Sequence, residues 1–83
     1  MKFDYRPKGV CSQNIQIDMD KDVIKSVKFL GGCNGNGKGI GALCKGMKAS
    51  DAINRMRGIS CNGRKTSCPD QLSKALELYL KEL

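Results

Sequence analysis

The first hydrophobic positions of the chain recur with a period of two. Within residues 10–19, Ile15, Ile17 and Met19 alternate with Asn14, Gln16 and Asp18, the pattern of a strand buried on one face. Asp20, Lys21 and Asp22 form a polar turn. Val23 to Leu30 then reads as a second strand, with Val23, Val27 and Phe29 on one face and Ile24 and Leu30 on the other. Two such runs around a short polar turn predict an antiparallel hairpin. Phe3 and Tyr5 suggest a third short strand, ended by Pro7 and Gly9.

The period then lengthens. Asn34 or Asn36 is placed to cap a helix running to about Lys45, with Ile40, Leu43, Cys44 and Met47 inward and Gly46 as its stop. The glycines before Ala42 argue against it, since each costs roughly 1 kcal/mol in a helix. Ser50 is the expected cap of a short helix over residues 51–57, with Ala52, Ile53 and Met56 inward and Gly58 ending it. Thr66-Ser67-Cys68-Pro69-Asp70-Gln71 reads as a helix start. Pro69 at the first helical position loses no bond, because that N–H has no partner in a helix. Asp70 suits the positive end of the helix dipole. Leu72, Ala75, Leu76, Tyr79, Leu80 and Leu83 recur at helical spacing to the end of the sequence, which predicts an amphipathic, core-packing helix. The fold class is therefore α+β: a small antiparallel β-sheet built on a hairpin, followed by two or three helices packed on one face, in a single domain over residues 1–83.

Composition narrows the chemistry. With 83 residues and only four aromatic side chains, Phe3, Tyr5, Phe29 and Tyr79, the core is small, and a domain of this size commonly needs a metal, a disulfide or a partner. The opening residues carry no signal peptide, and no apolar run approaches the roughly 18–20 residues that span a bilayer. A cytoplasmic, non-membrane protein is expected. In that reducing setting, and with an odd count of five cysteines, a disulfide framework is disfavoured. The net charge of +7 is concentrated in the middle of the chain. Residues 31–68 hold seven basic side chains and one acidic one, Asp51. A polyanionic partner, whether nucleic acid, nucleotide or an acidic protein face, fits that excess; a solvated basic surface is the plain alternative.

Two motifs bear on function. Residues 31–41 read GGCNGNGKGIG, one residue short of the phosphate-binding pattern G-x-x-x-x-G-K-[S/T]. Gly39 stands where a Ser or Thr hydroxyl should meet Mg²⁺, and no parallel sheet can follow, so a nucleotide hydrolase is excluded. Gly37-x-Gly39-x-x-Ala42 matches a dinucleotide fingerprint equally poorly, for no βαβ unit follows. Anion binding at a glycine-rich helix start stays open. The glycines are read instead as the setting of Cys33. Cys11, Cys33, Cys61 and Cys68 all lie beside Gly, Pro or turn residues, whereas Cys44 sits in the apolar phase of a helix and is read as a core residue. No pair has C-x-x-C spacing, and the chain contains no His. Four loop cysteines fit a Cys₄ site with zinc, or iron, as occupant. The alternatives are buried or idle thiols, or redox chemistry in which Cys68, favoured as thiolate by its helix N-terminus, attacks and Cys61 or Cys33 resolves.

The segments Tyr5-x-Pro7-x-Gly9-Val10-Cys11-Ser12, Gly31-Gly32-Cys33-x-Gly35-Asn36, Gly58-Ile59-x-Cys61 and Thr66-Ser67-Cys68-Pro69-Asp70-Gln71-Leu72 resemble the short stand-alone branch of the TSCPD domain family. The resemblance covers nearly the whole chain. Similar domains form the C-terminal part of some adenosylcobalamin-dependent ribonucleotide reductases, so it implies a role in deoxynucleotide metabolism and a reductase, or another protein, as partner. It maps the motif cysteines onto Cys11, Cys33, Cys61 and Cys68. A chain of this length is too small to be a complete reductase and would be an accessory part: a metal-stabilised docking module, a nucleotide or nucleic-acid contact using Lys38, Arg64 and Lys65, or a thiol relay. A structural homodimer without chemistry is the remaining alternative.

Overall fold

The computed structural model describes residues 1–9, 13–31, 34–59 and 66–82, with backbone only for residues 34–36. Its strands are β1 (Lys2–Tyr5), β2 (Asn14–Asp20) and β3 (Val23–Leu30), joined in one antiparallel sheet of order β1-β2-β3. Three helices follow: α1 (Asn34–Cys44), α2 (Ala49–Met56) and α3 (Cys68–Lys81). The expected α+β arrangement of sheet, then helices on one face, is what forms.

The alternation in β2 does what its period requires. Ile15, Ile17 and Met19 are buried on the helix-facing side, while Gln16 is exposed with Lys2, Asp4 and Lys28 on the other side. β3 departs from a simple alternation. Val27 and Phe29 pair with Ile17 and Ile15, but the register slips beyond Asp18, so that Ser26 faces Asp18 and Ile24 faces Met19. Lys25 is the extra residue of a bulge. Ile24, assigned to the outer face by strict period two, is thereby turned inward and fully buried.

α3 supplies Leu72, Ala75, Leu76 and Tyr79 to the core, as its spacing predicts; Leu83 lies outside the described residues. Burying a side chain of Leu or Ile size contributes roughly 1.5–3 kcal/mol, and most of the large core residues come from α3 and the sheet. Tyr79 also stacks on Phe3, with ring centroids 5.2 Å apart. Its hydroxyl donates to the Lys21 carbonyl at 2.8 Å, tying the end of α3 to the hairpin turn, where Lys21 holds a positive φ of 54°.

Three helix details differ from expectation. α2 begins at Ala49, one residue before the predicted cap Ser50, because the Ala49 N–H donates to the Asp22 carbonyl at 2.7 Å and needs no side-chain cap. This bond belongs to a short bridge along the edge of β3, in which Ile24 N–H donates to Met47 and the Ile24 carbonyl accepts from Gly46, each at 2.8 Å. In α3, Ser67 is the N-cap and Cys68 the first helical residue, so Pro69 is second; its missing N–H still falls among the four without intrahelical partners. In α1, Leu43 was expected inward and is 77% exposed.

The cause of the last difference lies in the glycines. A Cβ on Gly37 would meet the Phe29 side chain at 3.0 Å, and one on Gly41 would sit 2.6 Å from the Val27 carbonyl oxygen. Gly37, Gly41 and the buried Cys44 share one face of α1, and that face rests on β3. The glycines let the two backbones approach, and the helix turns Leu43 away. A Cβ on Gly39 would meet nothing. Gly41→Ala is therefore expected to lower stability by about 1–3 kcal/mol through overpacking. Gly39→Ala is expected to raise it by about 0.5–1 kcal/mol through helix propensity. Urea denaturation of the two variants checks the contrast, and equal effects would contradict the docking.

Candidate functional site

At one end of the sheet β1 stops, β2 starts and β3 stops, since Tyr5, Ile15 and Phe29 lie abreast. α3 starts at the same end. Its first turn carries a dense set of hydrogen bonds. The Ser67 hydroxyl accepts from the Asp70 N–H at 3.2 Å, the N-cap bond, and donates to the Ile59 carbonyl at 2.7 Å. The Asp70 carboxylate is buried. One oxygen accepts from the Gly58 N–H at 2.8 Å, the other from the Thr66 hydroxyl, and the Lys74 ammonium lies 3.7 Å away. Gln71 completes the set. Its amide donates to Thr66 Oγ1 at 2.9 Å, and its carbonyl oxygen accepts from the Lys8 N–H at 3.1 Å with the Tyr5 hydroxyl at 3.4 Å.

The sequence predicted a helix start here but only a dipole role for Asp70. Ser67-x-x-Asp70 has the spacing of a capping box, in which the third helical residue returns to the backbone of the cap. Here the carboxylate reaches instead to Gly58 and Thr66. It thereby binds the exit of α2 to the entry of α3, and Gln71 adds the exit of β1. Burial pushes the Asp70 carboxyl upward, but the hydrogen bonds from Thr66 and Gly58 and the charge of Lys74 outweigh it and hold it below its usual 3.8.

Each of these contacts stands beside a cysteine in the chain. A Cβ on Gly9 would lie 3.2 Å from the Thr66 methyl group; Gly9 is two residues before Cys11, and Thr66 two before Cys68. Ile59, held by Ser67, is two residues before Cys61. Gln13, two residues after Cys11, donates its N–H to Leu30 at 2.7 Å, and its side chain lies against Gly31, two residues before Cys33. Cys68 itself is half-buried as the first residue of α3. Cys11, Cys33, Cys61, Arg64 and Lys65 lie outside the described residues. Among the described residues no group of three or more His, Cys, Asp or Glu side chains is arranged to hold a metal ion. Lys38 is exposed on α1. Cys44 is buried in the core, and burial pushes its thiol up, which suits packing rather than chemistry.

The residues that interlock at this end, Tyr5, Gly9, Gly58, Ile59, Thr66, Ser67, Asp70 and Gln71, are residues of the motifs noted in the sequence. The model of the TSCPD domain matches residues 3–80. The chain belongs to the TSCPD domain family. Neither a search of curated proteins nor one of solved structures finds a significant match. In this TSCPD domain no helix among the described residues is long and apolar enough to cross a membrane.

The motif side chains around Cys68 thus act first as a clamp, and the clamp is testable. Asp70→Ala leaves the part-buried Gly58 N–H and Thr66 hydroxyl without their carboxylate partner and is expected to lower stability at neutral pH by about 1–3 kcal/mol. Because the folded-state carboxyl is held below its unfolded value, its contribution is fully present above the unfolded value, near pH 4. It is lost as pH falls through the folded value. Asp70→Asn should therefore show a shallower acid limb than the parent in stability measured from pH 7 down to pH 2. An unchanged acid limb would contradict the assignment.

Proposed function

We propose that this TSCPD domain is a small cysteine-site module in which Cys11, Cys33, Cys61 and Cys68 hold one metal ion, and that it serves as an accessory binding part rather than as an enzyme. The observation that carries the reading is the convergence of anchors: described residues two positions from Cys11, Cys33 and Cys61 belong to the hydrogen-bonded end where α3 starts with Cys68. Gly9 precedes Cys11, Gly31 precedes Cys33 and Ile59 precedes Cys61, each by two positions in the sequence. The donor set fits zinc, or iron, bound by four thiolates. A Cys₄ site is closed; when bound, the metal contributes folding energy and leaves no open coordination position for a substrate. That supports a module that positions or binds. The small core and the glycine-rich α1 are the features such a site would reinforce.

The exposed cations Lys38, Lys45, Lys48 and Arg55, with Arg64 and Lys65 in the sequence, support a contact with a polyanion such as a nucleotide or nucleic acid. A place beside a ribonucleotide reductase extends the resemblance to the C-terminal part of the adenosylcobalamin-dependent enzymes. It makes deoxynucleotide metabolism the proposed setting.

Metal content and accessible thiols, measured on untagged protein kept anaerobic and free of chelators, test the cysteine site. About one zinc or iron per chain with four shielded thiols is expected. Cys61→Ser should lose both metal and cooperative melting, while Cys44→Ala should keep its metal. Metal-free protein with five titratable thiols would overturn the site. A fast, reversible disulfide between Cys68 and Cys61 or Cys33 would then make the domain a thiol redox protein.

A further inference from the structure

α1 rests its glycine face on β3, so its apolar side chains face elsewhere. Ile40, Leu43 and Met47 form one wall of a groove of about 290 Å³ whose other wall is Ala52 and Met56 of α2, with Ile59 at one end. Leu43 is 77% exposed and Ile59 44%. Two large apolar side chains on the rims of an apolar groove are a costly way to face water. The polar group lining the groove is the Arg55 side chain, which makes no ion pair among the described residues. Lys45 and Lys48, beside the lining residues Cys44 and Met47, are exposed. Across residues 34–59 Asp51 is the sole acidic residue.

We infer that the groove between α1 and α2 docks an amphipathic helix of a partner protein, apolar on one face and acidic on its flanks. The apolar face would lie between Leu43 and Met56, and the carboxylates would meet Arg55, Lys45 and Lys48. Charge complementarity selects this occupant. A second copy of the chain, which carries +7, would bring more positive charge to a basic rim. The two methionines suit the role, because an unbranched thioether side chain adapts to an incoming surface, and a helix laid in an apolar groove is a common mode of peptide recognition. The groove is lined mainly by α1, the turn after it and α2, with Ile59 and Pro69 at the end next to the start of α3.

The test uses the full chain and a fluorescein-labelled synthetic peptide about four turns long, with Leu at helical spacing on one face and Glu elsewhere. Fluorescence anisotropy is expected to show saturable binding that Leu43→Ser and Arg55→Glu each weaken roughly tenfold, the worth of one buried Leu or one charge pair. A peptide with Lys in place of Glu should not bind. Both substitutions are at exposed positions, and unchanged melting and metal content would separate loss of docking from loss of fold or of the cysteine site. Four outcomes would overturn the proposal. The Glu peptide fails to bind, the Lys peptide binds as well, neither substitution weakens binding, or sedimentation shows a dimer of this chain that Leu43→Ser dissociates.

Discussion

A carboxylate removed from water has to be compensated where it stands, and in this domain that requirement falls on Asp70. Its partners come from three places: the Gly58 backbone after α2, the Thr66 hydroxyl before α3, and Lys74 one turn further along. The neighbouring Gln71 extends the set to Lys8 and Tyr5. Two adjacent side chains on one helical turn thus fix how β1, α2 and α3 meet. Lys74 lies on an exposed stem and is screened by water, so the part-buried hydrogen bonds from Gly58 and Thr66 carry most of the constraint. The sheet end at which Cys68 begins α3 inherits its shape from this pair.

The helix α1 depends on a different constraint. Its sequence, NGNGKGIGALC, is intrinsically poor at forming a helix, since glycine interiors are entropically costly. What holds it is contact with β3 through Gly37 and Gly41, where any larger residue would separate the backbones. The same glycines that suggest a phosphate loop on paper are spaced four apart to make a flat helical face. The resemblance to a nucleotide-binding pattern arises because both uses need a backbone without side chains in the way.

The sequence showed much of the fold because most of it is local. The limits of β3, the inward face of β2 and the face of α3 follow from periodicity alone. The misplaced details are those where a tertiary contact overrides the local pattern. Ile24 is turned inward by the bulge at Lys25, the start of α2 is moved to Ala49 by the Asp22 carbonyl, and Leu43 is turned outward by glycine packing. The candidate site was legible as a list of cysteines in motifs but not as a place. Without C-x-x-C spacing no local rule joins Cys11, Cys33, Cys61 and Cys68, and the bonds that bring their flanks together run from Ser67 to Ile59 and from Gln71 to Lys8. Asp70 carried a readable signal, the Ser67-x-x-Asp70 spacing, but its true partners are set by the fold.

The bond from Tyr79 to the Lys21 carbonyl joins residues 58 positions apart in the chain, and Leu72 and Leu76 on the same helix fill the centre of the core. A chain growing on the ribosome therefore lacks the centre of its core until α3 emerges. Ile15, Ile17 and Met19 lack the cover of α3 before then, and the nascent chain is a candidate for chaperones that hold hydrophobic strands. Folding of this domain therefore waits on α3, the last made of its described elements.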